Sequence, residues 1–168
     1  MMDQRKQLIR IFSILVLCVI PVGLLIQAHS VQHGFLSLIH FGEEFAPSRL
    51  STIESIALPA NTSFGYDGQF YAQIALAPGL KDTELEGVLD TPAYRPRRIG
   101  LPALAALLGL GDVESTLQIY ALSNFGFWVL LGFLLLRYFP LYKFREFLLY
   151  ASLLWSTGTL CSLGWALT

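Results

Sequence analysis

Two short runs hold the side chains best suited to chemistry. Gly65 to Pro78 reads GYDGQFYAQIALAP and carries one carboxylate, Asp67. Leu89 to Pro102 reads LDTPAYRPRRIGLP and carries three guanidinium groups, Arg95, Arg97 and Arg98. A carboxylate acts as a general base when it lies within hydrogen-bond reach of the proton it removes, and partial desolvation raises its proton affinity. Arginine offers a planar fork that binds phosphate bidentately, so this cluster suits a phosphate or diphosphate. Tyr66 and Tyr94 stand directly before these groups and join the candidate set.

Both groups also have plainer readings. From Asp67 onward, Phe70, Tyr71, Ile74 and Ala77 or Pro78 recur at three- and four-residue spacing and stop at Pro78-Gly79. This predicts a short amphipathic helix near 68–77 on the membrane surface, its aromatic side chains at the interface. Asp67 then serves as its N-cap, worth about 1 kcal/mol. The arginines have their own alternatives, snorkelling to ordinary lipid phosphates or pairing with Asp90, Asp112 or Glu114. Ile99 to Leu110 is apolar but too short to span a bilayer, which predicts a second surface helix near 99–110.

The elements that position these residues are set by hydropathy. The 168 residues are 54% hydrophobic and 14% charged, with a mean hydropathy of +0.57. That composition is one of an integral membrane protein. Eleven basic residues against 12 acidic ones, with no Lys/Arg-rich run, exclude nucleic-acid binding as an expectation. Cys18 and Cys161 fall in apolar segments, away from disulfide or zinc spacing. His29, His33 and His40 repeat at no metal-ligand spacing, so neither a metal nor another cofactor is expected. A divalent metal has no support in the pattern.

Three segments reach the roughly 20 residues that a spanning helix needs: 8–26, 117–136 and 147–168. Arg5, Lys6 and Arg10 stand at the start of the first, and Arg137, Lys143 and Arg145 lie in the loop at 137–146. By the positive-inside rule residues 1–7 and 137–146 are cytoplasmic, and 27–116 form a large external loop. Within that loop, 29–62 reads as polar and irregular, punctuated by Gly, Pro, Ser and Asn. The apolar run of the first segment exceeds the usual signal-peptide core of about 7–15 residues, so a retained anchor is expected. The last segment ends without a polar flank, as expected of a piece of a longer chain. Its Ser152, Ser156, Gly158, Ser162 and Gly164 suit close helix packing.

The run FGYDGQFYAQIA at Phe64 to Ala75, followed by LDTPAYRPRRIGLPALA at Leu89 to Ala105, resembles bacterial multi-pass proteins of the GT-C glycosyltransferase-like superfamily. It is most similar to a group linked to cell-surface glycopolymer formation. The resemblance implies an all-α polytopic membrane protein of the bacterial inner membrane. In that frame the chain is the N-terminal part of a GT-C-like bundle, its large external first loop carrying short amphipathic surface helices. An acidic residue of that loop typically serves as base, and Asp67, within Tyr66-Asp67-Gly68, takes its place. The donor implied is a sugar on a polyprenyl phosphate, with Arg95, Arg97 and Arg98 as candidate ligands of the carrier phosphate.

The expected activity is therefore inverting transfer of a sugar to a cell-envelope glycan or lipid acceptor on the external face. Membrane lipids and other envelope-assembly membrane proteins are the expected partners. A non-catalytic membrane subunit that binds lipid-linked glycans, or scaffolds an assembly or export complex, is the alternative. One carboxylate with arginines suffices for binding a phosphorylated lipid.

Overall fold

A computed structural model describes residues 4–59, 61–79 and 83–164. Their regular structure is helical, with isolated β-bridges pairing Ser30 with Gly34 and Phe41 with Gly65. The helices are α1 (Gln4–Ala28), α2 (Ser51–Glu54), α3 (Gly68–Leu76), α4 (Thr83–Val88), α5 (Gly100–Gly109), α6 (Val113–Leu135), α7 (Phe144–Leu154) and α8 (Thr157–Gly164). Helices α1 and α6 are long and apolar enough to cross a membrane; α7 and α8, bent by 51° at their junction, make a third such length when the pair is counted as one span. An integral membrane protein is the class these helices support. The chain divides into two units, one built from residues up to Gln27 and from Asn124 to Gly164, the other from Ala28 to Ser123.

In the first unit, α1 buries Ser13, Leu17 and Pro21, a stripe at four-residue spacing. Leu8, Ile11, Phe12, Leu15, Val19 and Ile26 are exposed around it. An exposed face that apolar is what a helix bathed in lipid requires. Pro21 has no N–H to give to the carbonyl four residues earlier. That orphaned carbonyl, on Leu17, accepts a hydrogen bond of 3.2 Å from Trp155 Nε1. Tyr150 packs against Gly132 and donates its hydroxyl to the Gly132 carbonyl at 2.6 Å.

The third span is not the single helix expected over 147–168. It breaks between Leu154 and Thr157, and the break is stabilised from outside and from within. Trp128 Nε1 donates to the Leu154 carbonyl at 3.1 Å. Ser156 Oγ accepts from the Thr159 N–H at 3.4 Å, an N-cap on α8. Residues 165–168 of the expected span lie outside the described residues.

The second unit is organised around α3. Every residue from Gly68 to Ala75 is buried, so the amphipathic surface helix expected near 68–77 is instead the central helix of a protein core. The apolar spacing marks one face of α3; its other face is covered too, by protein instead of water. Two glutamines make that possible, because a buried amide must find partners for both its oxygen and its nitrogen. Gln69 Oε1 accepts from the Gly42 N–H at 3.1 Å, and its Nε2 donates to the Phe64 carbonyl at 3.0 Å. Gln73 Oε1 accepts from the Leu50 N–H at 2.9 Å, and its Nε2 donates to the Gln69 carbonyl at 3.2 Å.

The segment expected to be polar and irregular is irregular, but it is not only surface. Its short 3-10 turns, Leu36–Ile39 and Glu43–Ser48, bring Leu36, Ile39, Phe41, Leu50 and Ile53 onto α3 within one core. Arg49 covers Phe41, its Cζ 5.5 Å from the ring centroid, and donates to the Gly42 carbonyl at 2.6 Å. The expected helix near 99–110 is present as α5. It buries Pro102, Ala105 and Gly109 against this core and exposes Leu104, Leu107 and Leu108. That apolar outer face fits an interfacial helix.

Candidate functional site

Asp67 reaches its position through a narrow crossing of two chain segments. The Tyr66 N–H donates to the His40 carbonyl at 3.0 Å, and Gly65 adopts a left-handed φ of 75° that favours glycine. Opposite it, a Cβ on Gly42 would collide with the Phe64 carbonyl group. Asn61 and Ser63 brace the approach, Asn61 Oδ1 accepting from Ser63 Oγ at 2.6 Å and Ser63 Oγ accepting from the Gly65 N–H at 3.1 Å. The crossing ends where α3 begins.

Asp67 does occupy the residue before the first turn of α3, yet its side chain makes no capping hydrogen bond there. The N-cap reading is replaced by an ion pair. Arg95 Nη1 lies 2.7 Å from Asp67 Oδ2, and Nη2 donates to Oδ1 at 2.9 Å. The same guanidinium holds a second carboxylate in a fork: Nε donates to Asp90 Oδ1 at 2.9 Å and Nη2 to Asp90 Oδ2 at 2.8 Å. Its Cζ lies 4.9 Å from the Phe70 ring centroid and 5.4 Å from that of Tyr71. Arg95 is thus caged by two anions and two aromatic faces.

Exposure separates the three charged groups. The Arg95 side chain is 8% exposed and that of Asp67 is 55% exposed, with Asp90 between them at 33%. Hydrogen bonds to Asp90, and then to Asp67, hold the Arg95 proton affinity above its ordinary range against the opposing effect of burial. Hydrogen bonding from Arg95 is also the main reason why the Asp90 carboxyl titrates below its ordinary value. Asp90 was foreseen only as one of three possible partners. Of the other two, Asp112 accepts from the Ser115 N–H at 2.7 Å at the start of α6; hydrogen bonding from the Ser115 hydroxyl, and then from that N–H, lowers its proton affinity.

The remaining candidates divide by exposure. Arg95 begins a 3-10 turn, Arg95–Arg98, that follows Tyr94, and its N–H donates to the Thr91 carbonyl at 3.1 Å. Arg97 and Arg98 on that turn are exposed, as are Tyr66 and Tyr94. Arg98 donates to the Tyr94 hydroxyl at 2.6 Å and lies over its ring, 5.2 Å from the centroid. Arg97 makes no ion pair among the described residues. So the structure brings Asp67 and Arg95 into one cluster and leaves two cations facing outward from the adjoining turn.

Sequence reasoning did not find Tyr71 and Phe70 as the floor of this cluster. Tyr71 is fully buried; its hydroxyl meets no partner at good hydrogen-bond geometry among the described residues, but it lies close enough to Arg95 to add to that group's raised proton affinity. The signal was available: in a helix with Asp67 at its root, residues three and four further on lie on the face above it. Among the described residues, no three His, Cys, Asp or Glu come together as a metal site. Comparison with protein families, curated proteins and solved structures finds no match to this chain.

Proposed function

We propose that this chain is part of a membrane glycosyltransferase-like protein of the bacterial cytoplasmic membrane. On this reading it transfers a sugar from a polyprenyl-phosphate-linked donor to a cell-envelope glycan or lipid acceptor on the external face. The observation that carries it is the state of Asp67: half exposed, fixed on one side by a buried arginine, and rooted at the start of a buried helix. A general base has to be oriented and reachable. Arg95 supplies the first condition and exposure supplies the second. Each carboxylate oxygen keeps acceptor capacity beyond the bond it receives from Arg95.

In the reaction, Asp67 takes the proton of the acceptor hydroxyl as that oxygen bonds to the anomeric carbon. The bond from that carbon to the phosphate oxygen breaks on the opposite side, and its electron pair leaves with the phosphate. Arg97 and Arg98 are suited to meet that developing charge. Arg95 is a positioning residue here, because its donors already serve two carboxylates. The exposed Tyr66 and Tyr94 offer ring faces and hydroxyls to a sugar.

The same bridge favours a second reading. With both of its oxygens taken by Arg95, Asp67 also fits the outer half of a structural lock in a non-catalytic subunit that binds lipid-linked glycans. The two are separated in membranes containing the whole protein, given polyprenyl-phosphate sugars radiolabelled in the sugar. Asp67→Asn should lower transfer roughly 100- to 10,000-fold while lipid-linked sugar is still retained. The paired Arg97→Gln, Arg98→Gln variant should weaken retention itself. Undiminished transfer by Asp67→Asn removes the base. Retention without transfer in the wild type, across the whole panel, leaves the binding subunit standing.

A further inference from the structure

The unit that contains α1, α7 and α8 has a pocket the proposed reaction does not use. It has a volume of about 320 Å³ and is lined by Arg10, Phe133, Leu134, Leu136 and Arg137. Arg10 comes from α1 and is half-buried; Arg137 follows the end of α6 and is exposed. Two cations from separate helices therefore share one small space whose other walls are apolar.

Nothing among the described residues neutralises them. Among the described residues neither guanidinium takes part in an ion pair; Arg10 acts electrostatically on Tyr150, a neutral phenol that does not compensate its charge. Glu146, in the first turn of α7, is engaged by the Tyr142 N–H at 2.9 Å. Of the carbonyls at the end of α6, which attract cations at a helix C-terminus, three already accept backbone hydrogen bonds. Gly132 accepts from the Leu136 N–H at 3.2 Å, Leu134 from the Arg137 N–H at 3.2 Å, and Leu135 from the Tyr138 and Phe139 N–H groups, both at 2.9 Å. Arg10 lies inside an apolar spanning helix, where an uncompensated charge is costly.

We propose that this pocket binds an anionic phospholipid of the surrounding leaflet, with its phosphate between Arg10 and Arg137 and an acyl chain over Phe133 and Leu134. Two forked donors match the oxygens of a phosphodiester. Exposed Phe133 and Leu134 match a hydrocarbon chain. A free phosphate would satisfy the cations and leave those apolar walls uncovered. The inference is independent of the sugar-transfer reading, which rests on other residues.

The test is lipid retention by the whole protein, purified in mild detergent from vesicles containing equal amounts of phosphatidylglycerol and phosphatidylcholine and read by native mass spectrometry. Retained phosphatidylglycerol should exceed phosphatidylcholine roughly tenfold or more, the scale for two basic residues near an anionic lipid. The paired Arg10→Gln, Arg137→Gln variant should lose that preference. Lys143→Gln, which alters a separate apolar pocket of α1 and α7, should keep it. Equal retention of the two lipids by the wild type overturns the proposal without reference to any variant. So does a well-folded double variant, judged by circular dichroism, that keeps the full preference. Displacement of phosphatidylglycerol by excess inorganic phosphate overturns the lipid assignment in favour of a soluble anion.

Discussion

Replacing Arg95 by methionine tests the cage directly. The change keeps a long apolar stem but removes the bidentate bridge to Asp90, the pair with Asp67 and the charge above two rings. The Asp90 bridge is short and part-buried, for which net hydrogen bonding to a charged group contributes about 1.5–3 kcal/mol. The Asp67 pair is worth less, at most about 1 kcal/mol, because half of that carboxylate is in solvent. The ring contacts add about 0.5–1 kcal/mol each, partly offset by methionine packing on the same rings. The expected loss for Arg95→Met is about 3 kcal/mol, whereas Asp67→Asn should cost less than about 1 kcal/mol. Pulse proteolysis of the second unit in mild detergent and urea measures both. With a slope of about 2 kcal/mol per molar urea, the midpoint should fall by roughly 1.5 M for Arg95→Met and by under about 0.5 M for Asp67→Asn. Equal shifts for the two variants, or a shift under about 0.5 M for Arg95→Met, would refute the inference that Asp90 anchors Arg95 and Asp67 is the outer, lightly bound partner.

Acid should weaken the same unit. Asp90 titrates below its ordinary 3.8 when folded, so its contribution is complete above that value and is lost as pH falls through the folded one; proteolysis between about pH 4 and pH 2 should show a decline that Asp90→Asn makes shallower. Gly42→Ala should destabilise by roughly 1–3 kcal/mol, because the crossing segment must move aside for the new methyl group; a change under about 0.5 kcal/mol in the urea midpoint analysis would contradict the close approach. Gln69→Leu strands the Gly42 N–H and the Phe64 carbonyl, and should cost about 2–4 kcal/mol in the same assay, more than an exposed Gln changed in the same way. Trp128→Phe removes the donor to the carbonyl at the break of the third span, and should lower the thermal midpoint of the first unit with a loss of about 0.5–1.5 kcal/mol.

Hydropathy carried the long elements well, since 8–26 falls within α1 and 117–136 overlaps α6 as far as Leu135. It did not show the bend between α7 and α8, because Ser156, Thr157 and Gly158 interrupt the apolar run too briefly to end a span by hydropathy, and the tryptophan that stabilises the open carbonyl comes from another helix. The spacing of Phe70, Tyr71 and Ile74 located α3 but misjudged its environment. Period alone reports which residues share a face, and the partners that cover the opposite face of α3 come from residues 36–53, scattered over irregular turns. Asp67 and the arginines were legible as chemical types. Their pairing was not, because Asp67 and Arg95 are 28 positions apart and only the tertiary fold decides which of three arginines turns inward.

The burial of α3 from Gly68 to Ala75 bears on timing. Amides on buried faces exchange their hydrogens only when the packed segments around them come apart, so their exchange should track opening of the whole unit instead of local fraying. Asp67 is joined to the first residue of that helix while half its surface faces outward. The backbone beneath the carboxylate is therefore held between such openings, and the motion left to Asp67 is that of its own side chain against Arg95.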